Sequence, residues 1–145
     1  MQSLHPLIIH FPIALLVTAL VLDALAWLLK REDLRRVALW NLTLGTAGAA
    51  AAAASGLQAE TVAKHSFEIW QIMALHKRLG ITTLILGLMA TTLRWSRRDR
   101  LTSRRRAFAL ALGLGMAATV SIGAYLGGRL VYEFGVGGSF GAATR

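Results

Sequence analysis

Four long apolar runs constrain the fold of this chain more than any other feature of its sequence. They cover residues 7–29, 37–57, 79–93 and 107–132, and a periodic apolar pattern extends the third run towards its N-terminal side. A helix needs about 20 apolar residues to cross the hydrocarbon core of a bilayer. Because the runs show no alternation of period two, they predict transmembrane helices rather than the strands of a barrel.

The expected architecture is an all-α, integral membrane four-helix bundle that forms one domain over residues 1–145. Hydrophobic residues make up 55% of the chain and charged residues only 16%, whereas a soluble domain carries about 25% charged residues. From the runs and their flanking patterns, we expect the helices to cover approximately residues 6–29, 37–58, 67–95 and 106–133.

The basic residues of the loops predict the orientation of the bundle. Of the sixteen Lys and Arg residues, four lie between the first and second runs and seven lie between the third and fourth. Short cytoplasmic loops carry an excess of Lys and Arg, so we expect these two loops in the cytoplasm and both termini outside, an N-out/C-out topology. The loops also account for most of the net charge of +9. Since no basic face carries interleaved aromatic residues, the expected partner is the lipid bilayer and not nucleic acid.

The absence of cysteine leaves histidine as the strongest ligand for a metal or a haem. It excludes disulfides, thiolate metal sites and covalent haem attachment. The histidines are His5, His10, His65 and His76, and the predicted topology puts all of them in the outer half of the protein.

The depths of two histidines within their helices point to a shared site. His10 precedes Lys30 by nineteen residues and His76 precedes Arg94 by eighteen, which corresponds to about 29 Å and 27 Å of helix. We therefore expect His10 and His76 at one level, facing the bundle interior. Axial histidines hold haem iron in many proteins, so the pair predicts a b-type cytochrome or haem-binding electron-transfer subunit. Haem b is the expected cofactor, and a quinone site nearby would be compatible with it.

Two other interpretations remain open at this point. The first is a copper or zinc site built from His10, His65 and His76, with His5 as a further candidate ligand. The second is a cofactor-free accessory subunit of a larger membrane complex, in which the histidines are interfacial residues with wet polar tips. The sequence leaves open whether the protein is an enzyme, and whether it forms oligomers or binds a respiratory or other redox partner protein.

Asp23 is the one acidic residue deep in an apolar run. An ionised, unpaired carboxylate would be costly there, so we expect Asp23 to form a structural polar clamp between helices. Asn41 lies at a similar depth and could share a hydrogen bond with it, and Arg94 could reach it as an ion pair.

Small residues recur every four positions in the second and fourth runs, Gly56 and Gly123 among them. Such stripes allow helices to approach closely. They could instead leave room for a flat ligand near the histidines.

Several motifs resemble those of a bacterial membrane family, domain of unknown function 2231. They are LHP at 4–6, IHFPIAL at 9–15, SGL at 55–57, LGGRLVY at 126–132 and GV at 135–136, together with Asp23, His65 and His76. The resemblance implies a multi-pass protein of the bacterial inner (plasma) membrane, with these histidine positions and a redox setting.

The topology can be tested with single cysteines introduced at Ser3 and Ser103, because the native chain has none. We expect an impermeant thiol reagent to label Ser3→Cys and not Ser103→Cys in intact cells. Labelling of Ser103→Cys alone would contradict the N-out/C-out arrangement.

Overall fold

Each apolar run forms one helix in the computed structural model, which describes residues 8–60, 66–96 and 102–136. The helices are α1 (His10–Leu28), α2 (Glu32–Glu60), α3 (Phe67–Ser96) and α4 (Ser103–Tyr132). All four are long and apolar enough to cross a membrane. The predicted all-α four-helix bundle is confirmed, whereas its orientation in the membrane stays a prediction.

Two helices begin earlier than their apolar runs. α2 starts at Glu32 rather than near residue 37, and α4 starts at Ser103 rather than near residue 106. Glu32 and Asp33 occupy the first turn of α2, where negative charge interacts favourably with the helix dipole. The apolar run reports the hydrocarbon core, but the helix continues beyond it into the polar boundary.

A tight turn joins α1 to α2. Lys30 adopts a left-handed conformation with φ of 53°, and the Arg31 N–H donates to the Ala26 carbonyl at 3.1 Å. This is the Schellman pattern of hydrogen bonds that ends many helices. It reverses the chain at once, so α1 and α2 run antiparallel.

The helices form a ring in which each packs against the next in sequence and α4 also packs against α1. α1 and α3 therefore lie diagonally opposite each other. We call the end at which α1 and α3 finish the basic end, after its Arg-rich connections. The opposite end, where α1 and α3 begin, is the histidine end.

The bundle core contains residues from every helix: Leu16, Ala19, Leu42, Ala90, Leu112 and Met116. Many other large apolar side chains, including Trp27, Trp40, Trp70 and Trp95, are exposed on the outside. Lipid tails are as apolar as these side chains, so burial of apolar surface does little to hold membrane helices together. Close packing and interhelical hydrogen bonds must supply most of that attraction.

Glycines provide the close packing. A Cβ built on Gly45 of α2 would lie 2.7 Å from Leu16 Cδ2 of α1, and one built on Gly87 of α3 would lie 2.8 Å from Thr46 Oγ1 of α2. Real Cβ atoms do not approach so closely, so the side chains of Leu16 and Thr46 can pack against these backbones only because the positions are glycine.

Hydroxyl groups provide interhelical hydrogen bonds. Thr83 Oγ1 of α3 donates to Thr119 Oγ1 of α4 at 2.8 Å, and Thr46 and Thr91 share a bond of 3.2 Å between α2 and α3. In model membrane systems such bonds contribute about 0.6–2 kcal/mol each.

The packing predicts opposite effects for two glycine substitutions. Gly45→Ala should destabilise the bundle by about 1–3 kcal/mol, because the added methyl group forces Leu16 and the backbone apart. Gly80→Ala should leave stability unchanged or raise it, since nothing lies within 4 Å of the position of its Cβ. Thermal unfolding in detergent measures both, and equal midpoints for the two variants would contradict the packing argument.

Candidate functional site

Of the four histidines, His10 and His76 lie among the described residues. His5 and His65 lie outside them, so the ligand roles expected of these two stay predictions.

His76 lies on the interior face of α3. Thr83 follows His76 by seven residues, and Gly87, Ala90 and Arg94 then follow one another at spacings of four, three and four. Such spacings put all of these residues on one side of a helix. These four residues are buried, and His76 itself is half-buried. The interior orientation of His76 follows from its place in this stripe.

The imidazole of His76 is held against α4. Its Nδ1 lies 2.8 Å from the Gly123 carbonyl oxygen. One turn further along α4, a Cβ on Gly127 would lie only 3.0 Å from His76 Cε1. The ring therefore rests on a surface that two glycines keep open.

The hydrogen bond to Gly123 determines which ring nitrogen carries the proton. A carbonyl oxygen can only accept, so Nδ1 must donate. In the neutral imidazole the lone pair then belongs to Nε2. Metal-ligating histidines commonly have this arrangement, because a second hydrogen bond orients the ring and raises its basicity.

His10 lies at about the same level of the bundle as His76. Leu20 of α1 packs against Gly113 of α4, with Cδ1 3.0 Å from the position of a Cβ there. α1 and α4 are antiparallel, so ten residues along each from this contact reach His10 and Gly123 at the same height, about 15 Å away. Gly123 in turn accepts the bond from His76.

The side chain of His10 does not share the inward orientation of His76. The buried positions of α1 are Pro12, Leu16, Ala19 and Ala26, and at 100° per residue His10 lies about 160° around the helix from their mean direction. It is exposed. His76 therefore lies on the interior face of α3, whereas His10 lies on the exposed side of α1. A site shared by the two imidazoles stays a prediction.

The small-residue stripe of α4 is filled by side chains of α3. Leu79 Cβ lies 3.6 Å from the position of a Cβ on Gly123, and Leu86 Cδ1 lies 3.5 Å from that on Gly115. His76 itself occupies the space beside Gly127. At these positions the glycines serve close packing, and no flat ligand fits between α3 and α4 there.

Within residues 8–60, 66–96 and 102–136, no group of three or more His, Asp, Glu or Cys residues is arranged to hold a metal ion. A metal ion held by three or more such side chains, His76 among them, would therefore draw at least one of them from the rest of the chain or from a partner.

An ion pair lies near the histidine end. Arg129, in the last turn of α4, pairs at 2.7 Å with Glu133, the first residue after α4. The hydrogen bond from Arg129 lowers the pKa of the Glu133 carboxyl below its ordinary value. Glu133 lies beyond the last spanning residue of α4. Because its pKa is lowered, its carboxyl is ionised at neutral pH.

Asp23 forms its clamp at the other end of the bundle. Arg94 Nη1 donates to Asp23 Oδ2 at 2.6 Å, and Arg94 Nη2 donates to the Arg35 carbonyl oxygen at 2.9 Å. The Arg94 side chain is only 2% exposed and that of Asp23 is 24% exposed. One arginine of α3 thus joins α1 and α2.

Of the two partners considered for Asp23, the structure provides Arg94. Asn41 lies half-buried on α2, whereas the long guanidinium side chain reaches across the diagonal of the ring. In the described part of the chain, every buried side-chain nitrogen or oxygen has a hydrogen-bond partner.

The two polar regions are separate sites. His76 and Arg94 lie on one stripe of α3, eighteen residues apart, or about 27 Å along the helix. Asp23, which pairs with Arg94, is thus too far from His76 to exchange protons with it directly.

Sequence reasoning did not identify the contacts of His76 with Gly123 and Gly127. The four-residue spacing of glycines on α4 was the available signal, but such a stripe does not show which helix covers it. That information depends on the rotation of α3.

Comparison with known proteins identifies a family. The family model described as "Predicted membrane protein (DUF2231)" matches residues 1–139. No curated protein matches the chain, and no solved structure matches it.

The clamp predicts a graded response to substitution of Asp23. Asp23→Leu should destabilise the protein by about 3–5 kcal/mol, because it leaves the buried guanidinium of Arg94 without a counter-charge. Asp23→Asn should cost less, since the amide oxygen still accepts a hydrogen bond. Thermal unfolding in detergent compares the two.

The double variant Asp23→Leu/Arg94→Met is the control, because it replaces the ion pair with apolar groups. We expect it to be more stable than Asp23→Leu alone. Equal stability of Asp23→Leu and Asp23→Asn would eliminate the clamp.

Proposed function

We propose that this chain, which belongs to the DUF2231 family of predicted membrane proteins, is an electron-transfer subunit that binds haem b through His76. It is a multi-pass membrane protein. The bacterial inner membrane, with the histidine end outside, is the location that the loop charges and the family resemblance favour. A quinone or a respiratory protein would be its electron partner.

The observation that carries this proposal is the orientation of His76. Its Nδ1–H donates to the Gly123 carbonyl, which puts the lone pair on Nε2, the nitrogen that would bind iron. A polar residue inside a membrane helix is usually functional, and here the ring bonds to Gly123 and lies against Gly127 of the neighbouring helix.

The number of available ligands favours haem over a bare ion. Haem brings four nitrogens of its own and requires only one or two axial ligands from the protein. A zinc ion requires about four ligands, and the described residues provide no cluster of three. Bound haem would supply reversible one-electron chemistry at its iron.

The fit also limits where the haem would lie. The contact surface between α3 and α4, which we call the seam, is filled by Leu86 at Gly115 and by Leu79 at Gly123. The porphyrin would therefore lie outside that seam, at the histidine end. His65, His5 and His10 are the candidates for a second axial ligand. His10 would serve only if α1 rotated or if a second copy of the chain took part.

A copper or zinc ion is the second candidate. The observation in its favour is the same closed seam, because a single ion needs no slot. Its ligands would be His76, His65 and, under the same condition as for haem, His10, with His5 as a further candidate. A cofactor-free accessory role is the outcome if neither haem nor metal binds.

Haem content and visible spectra of the purified protein test the proposal. We expect a Soret band in the wild type, and we expect His76→Ala to abolish it. His5→Ala should keep the band unless His5 is the second ligand. Loss of haem in His10→Ala as well would identify the second ligand. A wild type without haem but with stoichiometric copper or zinc would favour the second candidate, and full haem in His76→Ala would refute the ligation.

Two adjacent glycines provide a matched pair for the orientation of His76. Gly127→Ala should displace the imidazole and weaken cofactor binding about tenfold or more, as loss of an orienting contact does at other metal sites. Gly128→Ala should have no such effect, because nothing lies within 4 Å of its Cβ position. Equal cofactor binding by both variants would show that binding does not require the contact between the His76 imidazole and Gly127.

A further inference from the structure

A cleft at the basic end is lined by all four helices. Its lining includes Asp23 and Trp27 of α1, Arg35 of α2, Arg94 of α3 and Arg106 of α4. The enclosed volume is about 20 Å³, room for about one water molecule. The cleft is only partly enclosed, so a larger group could place one atom on the floor and keep the rest in the mouth.

The charges of the cleft do not balance. Arg94 is neutralised by Asp23 at 2.6 Å, and Arg35 is paired at 2.7 Å with Glu32, whose side chain is 69% exposed. No ion pair joins Arg106 to another described residue. The mouth therefore has an excess of positive charge, and it lies beside a buried guanidinium.

The chemistry of the lining matches a phosphate group. Guanidinium groups present parallel N–H donors whose spacing fits two oxygens of a phosphate. Ala109 and Leu110 of α4 form an apolar wall, and Trp27 is 55% exposed at the rim, as is usual for Trp at a membrane interface. An ion with an attached apolar body suits such a wall better than a free ion does.

We propose that this cleft binds the phosphate group of an anionic phospholipid. One phosphate oxygen reaches the floor near Arg94, Arg106 and Arg35 contact the others, and the acyl chains lie along α4 and Trp27. The proposal does not depend on a cofactor at His76, because the two sites lie at opposite ends of the bundle.

The test is titration of the purified full-length protein in neutral detergent with phosphatidylglycerol, with bound lipid counted by native mass spectrometry. We expect Arg106→Gln to weaken binding about tenfold, the effect of losing a charge-assisted bond. Arg106→Lys, which keeps the charge, should fall between the wild type and Arg106→Gln. Unchanged thermal midpoints without lipid verify that each variant is folded.

Arg105→Gln is the matched control, because Arg105 is the preceding residue of α4, is exposed and does not line the cleft. We expect it to change binding less than about twofold. Equal losses for Arg105→Gln and Arg106→Gln would indicate diffuse attraction to basic loops and overturn the site. Phosphatidylcholine and inorganic phosphate are the other probes. Equally tight phosphatidylcholine binding, or Arg106-dependent binding of inorganic phosphate alone, would overturn the assignment to anionic lipid.

Discussion

A guanidinium group buried in an apolar bundle must find its counter-charge and its hydrogen-bond acceptors within the protein, because leaving it unpaired costs several kcal/mol. Arg94 does so on two helices at once, with the Asp23 carboxylate on α1 and the Arg35 carbonyl on α2. These directional bonds determine how three helices meet at the basic end. The cleft at that end is lined by these three helices and by α4.

Polar contacts of α3 continue along the whole bundle. His76 bonds to the Gly123 carbonyl, Thr83 bonds to Thr119, and Thr91 bonds to Thr46. Burial of apolar surface by itself selects neither register nor rotation strongly, because lipid tails are as apolar as the side chains. Hydrogen bonds do select them, because each requires particular atoms within about 3 Å. α3 is thus the helix whose hydrogen bonds align its neighbours. His76 makes such a contact near one end of α3 and Arg94 near the other.

The relative depth of His10 and His76 could be predicted by counting residues. Helical rise from the basic loops put His10 and His76 at one depth, and the contacts of α4 with both helices place them at one level. The direction in which the His10 side chain points could not be predicted in the same way. α1 is apolar on nearly every side, so its sequence does not distinguish a core-facing side from a lipid-facing side, and His10 lies on the outer one. For His76 the stripe of threonine, glycine and arginine does mark the interior.

The sequence by itself determined the number of spanning helices, the separation of basic and histidine ends and the need for a partner for Asp23. These depend on length, hydropathy and charge along one dimension. Only the tertiary structure decided that Arg94 rather than Asn41 is the partner of Asp23, that His76 rests on Gly123 and Gly127, and that three arginines converge on one cleft. Each of these depends on the rotation of one helix against another, which is set by close contacts and hydrogen bonds between residues distant in sequence.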